Sequence, residues 1–262
     1  MTDELLPSAE PAGGLRAGVD FGVVFALAIE AGGLVDRMQG VRVTRGHGLT
    51  VRQGLCHDRQ LVLVESGAGR TSAAEATHAL LDAHRPTWVF SAGFAGGLVG
   101  ELHRGDLLVA DCLVDAEGRR WTADPATLPA WLANVRGLRV GRLLTCDRPV
   151  RLPAEKRALG AEHQALAVDM ESLAVAEVCR QRNVPFLAVR VVCDAVDDEL
   201  PPDVEKLLAQ KTTGGQLGAA LRSVWRRPAS LKDLFAMQQN ALACSDRLAQ
   251  FLAGAVKHLG SG

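Results

Sequence analysis

The sequence predicts an α/β fold: a single domain with a mixed, largely parallel sheet flanked by helices. Apolar runs without helical period, such as Asp20 to Ile29 and Phe186 to Cys193, read as strands buried on both faces. Helical stretches separate them, and strands alternating with helices build parallel sheets covered on both sides. The chain has 262 residues, 48% of them hydrophobic, which is enough for one large core without forcing two.

The elements follow in order. Met1 to Gly18 has acids and prolines where a signal peptide needs a basic start and an apolar core, so it reads as a disordered lead-in. The domain spans 19–258. Asp20 to Ile29 is its first strand. Val41 to Val64 carries alternating segments broken by Gly48 and Gly54, which predicts hairpin-linked strands. A helix runs from about Thr71 to His84 and stops at Pro86. Trp88 to Ala92 is a strand ending in the glycine loop Gly93 to Gly97, and Asp106 to Val114 is another. Ala116 to Val135 reads as irregular, with a short helix around Trp131. Leu138 to Cys146, Ala165 to Met170 and Phe186 to Cys193 are strands; Ala154 to His163 and Glu171 to Arg182 are helices. From about 199 the pattern becomes a helical extension.

Charge and cysteine usage exclude several classes. Lys plus Arg total 29 against 30 acids, a net charge of −1, with no basic stripe for nucleic acid. The six cysteines form no CxxC pair and sit mostly in apolar runs, as buried reduced thiols of a cytoplasmic protein do. No apolar run reaches about 18 residues, so no membrane span is expected. The seven histidines show no metal spacing. Gly67-Ala-Gly69 lacks the third glycine of a dinucleotide fingerprint and the Lys-Ser/Thr of a phosphate loop, which argues against a nucleotide-dependent oxidoreductase.

In open α/β sheets ligands bind beyond the carboxyl ends of the strands. Glu30, Ser66 to Arg70, Gly93 to Gly97, Asp147, Met170-Glu171 and Asp194 occupy such positions. Five motifs combine there: Ser66-Gly-Ala-Gly-Arg70, Ser91-Ala-Gly-Phe-Ala-Gly-Gly-Leu98, Arg104-Gly-Asp-Leu-Leu-Val109, Ala167-Val-Asp-Met-Glu-Ser172 and Pro185-Phe-Leu-Ala-Val-Arg-Val-Val-Cys-Asp194. From about Gly22 to Asp198 the series resembles the superfamily of purine nucleoside phosphorylases, uridine phosphorylases and methylthioadenosine/S-adenosylhomocysteine nucleosidases.

The resemblance implies a homodimeric enzyme that cleaves the N-glycosidic bond of a purine nucleoside. It needs no cofactor, with inorganic phosphate as co-substrate in the phosphorylase branch. Glu30 matches the glutamate that activates water in the nucleosidase branch. Glu171, with Met170, matches the carboxylate that holds the ribose hydroxyls. Asp194 matches the aspartate that meets the purine edge and helps protonate N7. The same resemblance lays the nucleoside against Ser66 and Arg70, against Phe94, Ala95 and Gly96, and against Val150 and Val168. Phe94 stands where Ser or Thr is usual, Pro149 where an aromatic residue often stacks on the base, and the chain has no tyrosine.

Asp147-Arg-Pro-Val150, Ala154-Glu-Lys156, Val168-Asp-Met-Glu-Ser172 and Glu199-Leu-Pro-Pro202 are similar to hopanoid-associated members, which are linked to removing adenine from adenosylhopane. Futalosine hydrolases are another branch with an apolar residue in the glycine loop. The substrate expected is therefore a 5′-modified adenosine, with phosphorolysis and a non-catalytic nucleoside sensor as alternatives. Leu217, Leu221, Val224 and Trp225 lie at helical spacing near Arg222, Arg226 and Arg227. That pattern suits a packed helix, a cover for a long 5′ group or a weak membrane-surface contact.

Overall fold

The computed structural model describes residues 19–123, 128–201 and 230–259. The lead-in and the apolar stretch from Leu217 to Trp225, with its expected membrane contact, lie outside these residues.

Strand β1 (Phe21–Phe25) is buried along its whole length between β4 (Arg59–Glu65) and β5 (Trp88–Gly97), both parallel to it. The strand expected to reach Ile29 stops at Phe25, and helix α1 (Ala28–Val35) begins instead. The cause is local. Glu30 folds its carboxylate back onto the Leu27 N–H at 2.8 Å, satisfying a donor that the first helical turn leaves open.

Strands β2 (Gln39–Gly46), β3 (Leu49–Cys56) and β4 form the expected meander. Its turns sit at His47-Gly48 and His57-Asp58, all with positive φ, as two-residue hairpins require. Gly54 is no turn. It lies inside β3, where a Cβ would come 2.8 Å from the Gln39 carbonyl.

Helix α2 (Arg70–His84) ends on left-handed Arg85 just before Pro86. Strand β5 runs through what the sequence suggested was a glycine loop, because Gly96 and Gly97 pair with β9 (Ala167–Asp169). Then come β6 (Leu107–Val114), an unforeseen short β7 (Arg120–Thr122), a 3₁₀ turn (Ala130–Asn134), β8 (Leu138–Thr145) and α3 (Pro153–His163). Helix α4 (Ser172–Gln181), β10 (Phe186–Asp194) and α5 (Ser230–Leu259) follow.

The ten-stranded sheet runs β10-β6-β8-β9-β5-β1-β4-β3-β2 with β7 paired to β6 off this path, and β10 also pairs with β5, so five strands close into a ring. Five pairings are parallel and five antiparallel: the parallel ones hold the centre and the meander lies at one margin. Alternation sends Val23 to one core with Phe90, Leu248 and Leu252, and Val24 to another with Val62, Leu80 and Val175. No described helix is long and apolar enough to cross a membrane.

Candidate active site

Glu30, Glu171 and Asp194 gather around the carboxyl end of β5. Glu30, in the first turn of α1, is buried, and its Oε1 accepts the Phe94 N–H at 2.8 Å. Its carboxylate lies against Gly93, where a Cβ would fall 2.7 Å from Oε1. Only glycine lets β5 approach so closely. Burial pushes the Glu30 carboxyl up, against the Phe94 and Leu27 N–H groups and the Arg190 charge, which pull it down.

Glu171 stands at the N-cap of α4. Its Oε1 accepts the Gly69 N–H at 2.8 Å and its Oε2 the Met170 N–H at 3.3 Å. Gly69, at φ +96°, turns that N–H out from the start of α2. Burial first, then the Asp169 and Glu30 carboxylates, push Glu171 up to about 7 against the Arg190 charge.

Asp194 ends β10. A register shift between Val192 and Asp194 makes Cys193 an extra residue, so Asp194 falls opposite Gly96 and shares that position with Val168. A Cβ on Gly96 would come 3.0 Å from Asp194 Oδ2 and 3.5 Å from Val168 Cγ1. Burial raises the Asp194 pKa, and the ammonium of Lys156, 2.5 Å from Oδ2, opposes it.

The other expected residues divide. Val150 and Val168 are buried together with Leu98 and Leu144, forming an apolar wall beside Gly96. Phe94 packs against the core beneath α5, and Ala95 faces the opposite core. Ser66 Oγ turns to the Phe25 and Gly67 carbonyls, so it supports the loop rather than facing outward. Arg70 donates to Asp115 Oδ2 and the Thr145 carbonyl at 2.7 Å each. Its Nε lies 2.7 Å from Asp147 Oδ1, an ion pair without a hydrogen-bonding angle. Arg70 therefore already has anionic partners.

The Phosphorylase superfamily profile matches residues 20–221. The chain belongs to the phosphorylase superfamily. Its fold is similar to that of S-adenosylhomocysteine nucleosidase from Streptococcus pyogenes in complex with 5-methylthiotubericidin, at 21% identity, TM-score 0.71, with 94% of this chain and 99% of that chain covered. It is also similar to the Helicobacter pylori methylthioadenosine/S-adenosylhomocysteine nucleosidase with butyl-thio-DADMe-Immucillin-A, at 20% identity, TM-score 0.70, with 92% and 99% covered. Futalosine hydrolase from the same organism matches at 21% identity, TM-score 0.69, with 92% and 98% covered.

This superfamily member also holds residues that sequence reasoning missed. Arg190, fully buried, donates through Nε to Asp169 Oδ2 (2.9 Å) and through Nη2 to Ser91 Oγ (2.9 Å), and its Nη2 also lies 2.8 Å from Asp169 Oδ2 as an ion pair. Asp169 Oδ1 accepts from Thr145, and its Oδ2 also takes the Ser172 N–H. This network lies next to Glu171 in sequence and supplies the guanidinium that holds both glutamates down. A charged residue inside the apolar run Phe186 to Val192 was the available signal, because a buried charge must be paired. Lys156 and Gly93 were legible only as motif members. Among the described residues no cluster suits a metal ion.

Proposed function

We propose that this chain hydrolyses the N-glycosidic bond of a purine nucleoside, with a 5′-modified adenosine as substrate. The observation that carries the reading is the convergence at one strand end of two buried carboxylates, Glu30 and Glu171, and the half-buried Asp194, each with different surroundings. Cleavage builds positive charge on the sugar and negative charge on the departing base. Asp194, whose pKa burial raises, is placed to deliver a proton to the departing base. Glu171, when ionised, accepts from both ribose hydroxyls and stabilises the developing cation. Glu30, held by two backbone N–H groups, takes a proton from water on the far face.

Water is favoured over phosphate as nucleophile. Arg70 and Arg190 direct their donors to this chain's own acceptors. The N-terminus of α2, an anion site by its free N–H groups, already receives the Glu171 carboxylate. An ionised Glu30 about 4 Å from a phosphate charge adds about 4 kcal/mol of repulsion at an effective dielectric near 20. The nucleosidases and futalosine hydrolase that share the fold support a 5′-modified substrate. The homodimer belongs to the same reading. Val43 on β2 and Leu55 on β3 are exposed apolar side chains on one hairpin.

The test is base release from methylthioadenosine, adenosine, inosine and longer 5′-alkyl adenosines, with and without phosphate. Release from adenosines without phosphate is expected, with kcat/KM falling below about pH 7 as Glu171 takes up a proton. Strict phosphate dependence identifies a phosphorylase, and no release from any of them a sensor.

Glu171→Gln separates function from stability. Glu171 titrates at about 7, above the ordinary 4.5, so the folded state holds its proton more tightly than the unfolded chain. Stability therefore falls as pH rises through that window, by roughly 3 kcal/mol in all. The variant is expected to lose turnover on ribosides while its Tm at pH 8 rises above the wild type's, with no gain at pH 5. A lower Tm at pH 8 would make Glu171 an ordinary helix cap.

A further inference from the structure

We propose that Lys156 is a positioning residue for the leaving-group acid: its ammonium pins one oxygen of Asp194 and leaves the other to the purine. The proposal rests on the hydrolase reading above. The Lys156 side chain, on α3, is fully buried. A buried ammonium needs three acceptors. It has them in Asp194 Oδ2 at 2.5 Å, the Ala195 carbonyl at 2.9 Å and the Asp198 carbonyl at 2.7 Å. No donor remains for substrate, so Lys156 acts through Asp194.

The acceptors are preorganised. The Asp198 N–H bonds the Ala195 carbonyl at 3.0 Å, and the Ala195 N–H bonds Asp198 Oδ2 at 2.6 Å. The same Oδ2 takes Arg104 Nε at 2.8 Å. This closed turn offers two carbonyls to one ammonium. Asp194 Oδ2, on its other side, is confined by the β5 backbone at Gly96. Boxed between Gly96 and Lys156, Oδ2 fixes the plane of the carboxyl group. The Asp194 side chain remains 14% exposed.

Charge works with position. The groups facing Asp194 are Lys156 from α3, Asp198 from the turn, Arg104 from the loop before β6, Cys193 on its own strand and Cys244 from α5. Burial raises the Asp194 pKa, and Lys156 is the largest force against it. The ammonium thus makes Asp194 a stronger acid than burial alone would leave.

Lys156→Met tests this with three readouts. The Asp194 carboxyl is titrated by ¹³C NMR, with Asp194→Asn to assign the signal. Its pKa is expected to rise by about one unit or more in the variant. The alkaline limb of kcat/KM should move up with it, while the rate at neutral pH falls about 10-fold or more. Added to Asp194→Asn, the lysine substitution should cost nothing further in rate, because both act at one group. An unmoved Asp194 titration, or losses that multiply in the double variant, would overturn the proposal. Should the Met variant fail to fold, Lys156→Gln keeps donors without charge and takes the same measurements. The titration does not depend on turnover, so a protein that cleaves no nucleoside refutes the hydrolase reading while the carboxyl shift still decides Lys156.

Discussion

Asp194→Asn should slow base release about 10² to 10⁴-fold, the usual worth of a positioned acid. Asparagine keeps the shape and offers a hydrogen bond to a purine nitrogen, but it transfers no proton. The substitution also leaves the fully buried Lys156 ammonium without its counter-charge, a loss worth about 3–5 kcal/mol when a buried pair is broken. The variant is therefore expected to melt lower, and its rate has to be taken well below its Tm. Near-wild-type turnover in a folded variant would remove Asp194 from the chemistry.

Glu30→Gln is expected to cost hydrolysis a similar factor, and it asks which nucleophile the site was built for. The carboxylate accepts two backbone N–H groups, one on each oxygen. A glutamine accepts only one of them and turns its NH₂ towards the other, leaving a buried donor unmatched at about 1–3 kcal/mol. Loss of the raised carboxylate charge offsets part of that, so folding should survive. Base release without phosphate should collapse. If phosphate were the natural nucleophile, removing the negative charge would leave phosphorolysis intact or faster. Rates with and without phosphate on the same variant decide between them.

Much of the fold was legible because periodicity and punctuation agree in most of the chain. The meander, α2 with its stop at Pro86, α3 behind its proline, and the parallel pairs around β1 all carry local signals. The failures occur where a non-local partner overrides the pattern. The run to Ile29 looks like one strand, but Glu30 caps a helix with its own carboxylate. Gly93 to Gly97 looks like a loop, but β9 and β10 draw it into the sheet. The candidate site was legible as carboxylates at strand ends. Its charge balance was not, since Arg190 and Lys156 meet their partners only through the ring of strands. Arg70 illustrates the reverse: a cation in the right motif whose acidic partners, Asp115 and Asp147, lie 45 and 77 positions away in the chain.

The extra residue in β10 works as a change of phase. Side chains along a regular strand alternate, so Val192 and Asp194 would point the same way. Val192 packs into the core under α2 and α4, among apolar side chains. Cys193 shifts the count by one and delivers Asp194 to the Gly96 side. At this point the chain specifies a number rather than a side chain. A strand shortened by one there would keep its sheet and lose its acid.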